Sequence, residues 1–260
     1  MLLVLVSITS VQAENNDAYR YKWVGTFVKG SPLRDQVLAT SMMWEGFSDV
    51  IKRQWSRGYS LTSIKYGNGK WVGLFSKNSG WTKETYSVTG RWGDMGEVIK
   101  KRWAEGYFLV AIEHGLSEWV AVFAKNSGYT NQAYERQKKI QNFEKKVLQR
   151  WQDGFEIVDI EYGEGHWLAI FSQGKKHYER HSMSLRNDWK KFTRAIQKQK
   201  NDGYEVTSIA FGTGKWLGSF AKGDYTAHIY KAMPTIAKLA QEMRRKNAEG
   251  YALIDLAEGW

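Results

Sequence analysis

Residues Trp55–Lys77 read WSRGYSLTSIKYGNGKWVGLFSK. After Gly58, the run YSLTSIKYG alternates apolar and polar residues and is rich in Ile, Thr and Tyr, which predicts a strand. Asn68-Gly69 then supplies the positive backbone angles of a tight hairpin turn. WVGLFSK is the returning strand. The glycine–aromatic pair that opens this phrase recurs at Gly106-Tyr107, Gly154-Phe155, Gly203-Tyr204 and Gly250-Tyr251, at steps of 48, 48, 49 and 47 residues. So steady a period marks a repeat architecture.

The returning strand carries Trp23, Trp71, Trp119, Trp167 and Trp216, which at this spacing read as core. Its centre is always small: Gly25, Gly73, Ala121, Ala169 and Gly218. A small residue in mid-strand predicts close approach of another group. A short third strand is expected at Gln36–Thr40, Glu84–Thr89, Gln132–Glu135, His177–His181 and His228–Lys231. A helix follows, as in the stripe Met95, Val98, Ile99 and Trp103. Each helix should stop at the glycine of the next glycine–aromatic pair, acting as a C′ residue. Trp44, Trp81, Trp92 and Trp189 fall outside these spacings and are expected to be more exposed.

The expected fold is therefore an α+β repeat of five strand–strand–strand–helix units. The first copy enters at its second strand, Trp23, and the chain ends just after a first strand, Tyr251–Ala257. Pairing Tyr251–Ala257 with Trp23–Lys29 would close the units into an α/β-propeller and remove exposed sheet edges. An open repeat array is the alternative. The expected division is a signal segment at 1–13, a tail at 14–22 and one repeat domain at 23–260.

Met1–Ala13, MLLVLVSITSVQA, has an apolar centre and small residues before a cleavage position, although it lacks a charged start. It predicts export, with a secreted, periplasmic or cell-envelope location. No run is long enough to predict a membrane span. The chain has no cysteine, which excludes disulfides, thiolate metal sites and a cysteine nucleophile. Its formal net charge of +11 favours anionic partners. The export signal makes an acidic polymer or glycan a better match than nucleic acid.

The pattern seen in Trp55–Lys77, and with variations in Trp103–Lys125 and Trp151–Gln173, resembles a repeat of unknown function. That repeat is found after the kinase domain in plant casein-kinase-like proteins and in bacterial proteins. The resemblance implies architecture and carries no catalytic residues. The count of five units is also similar to the pentein-like α/β-propeller of arginine deiminase relatives. Their chemistry uses a cysteine nucleophile, which this chain lacks.

Candidate ligand-binding residues follow from the repeat. Lys29, Lys77, Lys125 and Lys222 occupy one position, with Gln173 as the exception, and in a closed arrangement would offer a polyanion several ammonium groups. Asp159 and Asp255 are acidic at an otherwise small first-strand position, suited to a cation or a ligand hydroxyl. Trp81, in a loop, is a candidate for stacking on a ligand. His177 and His181 lie too far apart on a strand to share a metal, so no metal, cofactor or catalytic residue is expected. The chain reads as a noncatalytic binding protein for an anionic or glycan ligand. A protein-interaction scaffold and an enzyme with an axial site are the alternatives.

Overall fold

The computed structural model describes residues 20–174, 178–223 and 227–260. The segment 1–13 and His177 lie outside the described residues. In chain order the elements are β1 Lys22–Lys29, β2 Arg34–Ser41, α1 Trp44–Ser56, β3 Ser60–Gly67, β4 Lys70–Lys77, β5 Lys83–Thr89, α2 Trp92–Ala104, β6 Phe108–Gly115, β7 Glu118–Lys125 and β8 Asn131–Gln137. They continue with α3 Ile140–Gln152, β9 Glu156–Gly163, β10 His166–Gln173, β11 Arg180–Arg186, α4 Trp189–Asn201, β12 Glu205–Gly212, β13 Lys215–Lys222, β14 His228–Met233, α5 Ile236–Ala248 and β15 Tyr251–Gly259.

These strands form five three-stranded sheets, with orders β2-β4-β3, β5-β7-β6, β8-β10-β9, β11-β13-β12 and β14-β1-β15. The Trp-bearing strand is central in each, and both neighbours run antiparallel to it. All five strand tryptophans are buried to 1% exposure or less. β15 pairs with β1 from Lys22↔Gly259 to Lys29↔Tyr251. The first strands also lie side by side: β3 by β6, β6 by β9, β9 by β12, β12 by β15, and β15 by β3.

Each helix ends as the glycine spacing predicts. Gly58 has φ +77. Its N–H donates to Trp55 O and the Tyr59 N–H to Gln54 O, the paired bonds that satisfy terminal helix carbonyls. The small mid-strand residue has a definite neighbour. A Cβ on Gly73 would lie 2.8 Å from Phe47 of α1, and one on Gly218 would lie 3.0 Å from Phe192 of α4. The helix aromatic therefore fills the volume that a larger strand residue would need.

Two expectations are corrected. Trp44, Trp92 and Trp189 are regular after all: each is the first residue of its helix. They meet Trp71, Trp119 and Trp216 edge-on at 5.1, 5.0 and 4.7 Å between ring centroids. The other two helices begin with Ile at that place, which hid the pattern. The fourth third-strand runs Arg180–Arg186, later than His177–His181. One extra residue after Gln173 lengthens that loop and delays pairing until Arg180↔Lys222.

Candidate functional site

The first strands bring their charges together in one buried ionic cluster. Each carries a bulge after Leu61, Leu109, Ile157, Val206 or Leu253. Bulges re-aim the side chains that follow them. Lys65 Nζ of β3 lies 2.6 Å from Glu161 and 3.9 Å from Asp159 on β9, and 3.1 Å from Glu113 on β6. The Lys65 side chain is 6% exposed.

Burial opposes the Lys65 charge, but the surrounding carboxylates of Glu113, Glu161 and Asp159 overcome it and hold its pKa well above the lysine range. Burial raises the carboxyls in turn. Asp159 is pushed up to about 7 against the attraction of Lys65, and Glu113 goes well above the usual range, helped by the charge of Glu161. Asp255 is raised by burial as well. Beside the cluster, burial lifts Glu258 to about 7 and also raises the Tyr21 hydroxyl.

Asp159 and Asp255 are thus placed near the same lysine, and each also clips an adjoining strand. Asp159 accepts from the Ile112 N–H at 2.9 Å. Asp255 accepts from the Ile209 N–H at 3.1 Å and from the Ser208 hydroxyl at 3.0 Å. Lys65, Glu113 and Glu161 were missed by sequence reasoning. The signal was the aligned set Lys65, Glu113, Glu161, Ala210 and Ala257, in which two alanines leave room for three charged side chains. Among the described residues no group of His, Cys, Asp or Glu has the arrangement to hold a metal ion.

The repeated lysines serve their own units. Lys77, Lys125, Lys222 and Lys29 sit over Tyr59, Tyr107, Tyr204 and Tyr251 at 5.0, 4.6, 4.5 and 5.8 Å from the ring centroid. These are cation–π distances. Lys125 Nζ donates to the Glu105 carbonyl at 2.7 Å, at the C-terminus of α2, where a cation is favoured. Gln173 donates to the Asp153 carbonyl at 3.0 Å, so the exception makes the same helix-end bond without a charge. Trp81 is half-buried and packs on the core cluster that contains Val110.

A different surface stands out once the helices are compared. α4, WKKFTRAIQKQKN, carries Lys190, Lys191, Arg194, Lys198 and Lys200 with no acidic residue. The other four helices each include at least one acid. The Asp188 N-cap accepts from the Lys191 N–H and pairs with its ammonium at 3.0 Å. A cleft lies on each side of α4. One, of about 390 Å³, is lined by Arg186, Lys198, Gln199 and Met183 among others. The second, of about 420 Å³, is lined by Lys200, Lys231, Tyr204, Tyr230, Gln197 and Glu205 among others.

Fold and surface together describe a repeat protein of five sheet-and-helix units with a basic face. The chain belongs to a family described as a domain of unknown function (DUF7477), whose model matches residues 7–164. No curated protein and no solved structure matches it. No helix among the described residues is long and apolar enough to cross a membrane.

Proposed function

We propose that this chain is an exported, noncatalytic binding protein for an anionic polymer, an acidic glycan above all, held along α4. In the same reading the five units close into an α/β-propeller, with β1–β15 pairing as the latch and the ionic cluster on the axis. The adjacency of β15 to β3 supports closure. The observation that carries the binding reading is the concentration of five basic and no acidic side chains on α4, with a cleft on either side. Such a stripe attracts a polyanion at long range, and clefts give it places to seat.

The test is retention on an immobilised acidic polysaccharide across a salt series. Elution should move to lower salt when Lys190, Lys191 and Arg194 are changed to Gln together. Retention that ignores salt would overturn the electrostatic reading. A protein-scaffold reading has one observation of its own, Met42 and Met43, which are 71% and 60% exposed before α1. Adjacent exposed methionines suit adaptable apolar contacts. Loss of a co-purifying protein in a Met42→Ser, Met43→Ser double variant would favour that reading.

A further inference from the structure

The repeats supply their own control for the second α4 cleft. In three units the helix position three residues before the terminal glycine is a tryptophan: Trp55, Trp103 and Trp151. Each of these indoles covers the third strand of the next sheet. Trp55 lies 6.0 Å from Tyr86 and its Nε1–H donates to Glu84 at 2.9 Å. Trp103 lies 6.1 Å from Tyr134 and its Nε1–H donates to Gln132 at 2.8 Å. Trp151 stacks on His181 at 4.7 Å with 12° between the planes. In α4 the equivalent residue is Lys200. Tyr230 pairs with Thr26 as Tyr86 pairs with Val122 and Tyr134 with Ile170. It keeps the edge-on contact from the first residue of its helix, Trp189 at 6.1 Å, but among the described residues the second indole that Trp55 and Trp103 supply has no counterpart. The cleft of about 420 Å³ opens at this place.

We infer that this cleft is a sugar subsite: a uronic acid residue of the acidic glycan occupies the place of the missing indole, over Tyr230, with its carboxylate between Lys200 and Lys231. The inference rests on the anionic-glycan reading above and deepens it. The lining is that of a site for an acidic sugar rather than for charge alone. Tyr230 is half-buried and offers an aromatic face to the C–H side of a pyranose, with Ile196, Val206 and Ile229 beside it. Gln197 and Glu205 supply planar polar groups for hydroxyls. Glu205 is raised by burial and feels the opposing charge of Lys200, which places that ammonium within electrostatic reach of the cleft. Lys200 and Lys231 form no salt bridge among the described residues; the charge of Lys231 helps to lower Glu242, which is itself paired with Arg245 at 2.6 Å. Both cations therefore remain available to a ligand carboxylate.

The experiment uses the whole chain and three probes: tetragalacturonate, its fully methyl-esterified neutral form, and inorganic polyphosphate. Lys200→Trp supplies the indole seen in three of the other units and should fill the cleft. The expected result is about a ten-fold loss of tetragalacturonate affinity, the scale of one charge-assisted contact, with polyphosphate binding changed much less. The methyl ester should bind the wild type more weakly than the acid. Unchanged tetragalacturonate affinity in Lys200→Trp overturns the subsite and leaves the α4 reading standing. No binding of any polyanion to the wild type overturns both. If Lys200→Trp misfolds, Lys200→Met decides. That exposed substitution should shrink the acid's advantage over its ester about ten-fold, the remainder coming from the rest of α4, and an unchanged advantage overturns the inference.

Discussion

Replacing Lys65 by Met removes the cation that contacts Glu113, Asp159 and Glu161 in the ionic cluster. The pair at 3.9 Å alone is worth about 4 kcal/mol of gross attraction at an effective dielectric of about 20. Desolvation of both partners offsets much of this, and breaking a buried pair nets about 3–5 kcal/mol. The sign of the pH dependence follows from the raised carboxyls. Asp159, with a folded pKa of about 7 against 3.8 as the ordinary value, holds a proton that the unfolded chain has released. Glu258 behaves alike. A raised folded pKa stabilises the native state below the unfolded pKa, and that contribution is lost as pH rises through the folded value. For Asp159 the span is on the order of 4 kcal/mol. Lys65, raised above 10.5, stays charged throughout this window.

The wild type should therefore lose stability between about pH 4 and 7 from these groups. Lys65→Met should steepen that loss. Urea midpoints at pH 4.5 and 7.5 would measure it. The variant should cost about 3–5 kcal/mol at pH 7.5, where its carboxyls face ionisation without a partner. At pH 4.5 the cost should fall to about 1 kcal/mol, as for a volume-conserving core change. An equal loss at both values would show that Lys65 acts by packing alone, and the electrostatic account would fail.

Three further outcomes are expected. Gly163→Ala should cost about 1–3 kcal/mol in denaturant titration, because a Cβ there would lie 2.6 Å from both His114 and the Trp119 ring. Leu116→Asn with Ser117→Gly should raise the melting temperature and add about 0.5–1 kcal/mol. Both residues are held at positive φ, 52° and 62°, in a two-residue hairpin turn that prefers Asn-Gly. Gln132→Leu should cost about 3 kcal/mol by chemical denaturation, since it strands the Leu109 N–H and C=O and the Trp103 indole N–H together.

The period of the glycine–aromatic pairs made the unit legible, because one φ-positive residue per helix end cannot be replaced cheaply. Asp159 and Asp255 were visible as acids at a small position. Lys65, Glu113 and Glu161 were not, since each sits beside a polar or aromatic neighbour and reads locally as a solvated strand face. Only the juxtaposition of several first strands turns that face inward. The α4 cleft was hidden for the opposite reason. Its signal is a missing tryptophan, and an absence gains meaning only once Trp55, Trp103 and Trp151 are seen covering the next sheet.

The pairing of β1 with β15 also sets an order of events during synthesis. Gln36 bonds both backbone groups of Leu253, its partner 217 residues away. At roughly 5–20 residues per second, β1 waits some 10–40 s during synthesis before its sheet can exist. Through that interval Trp23, Val24 and Phe27 have no β14 or β15 to cover them. The earliest of the described strands thus waits longest for shelter, and a holding chaperone would find its target there.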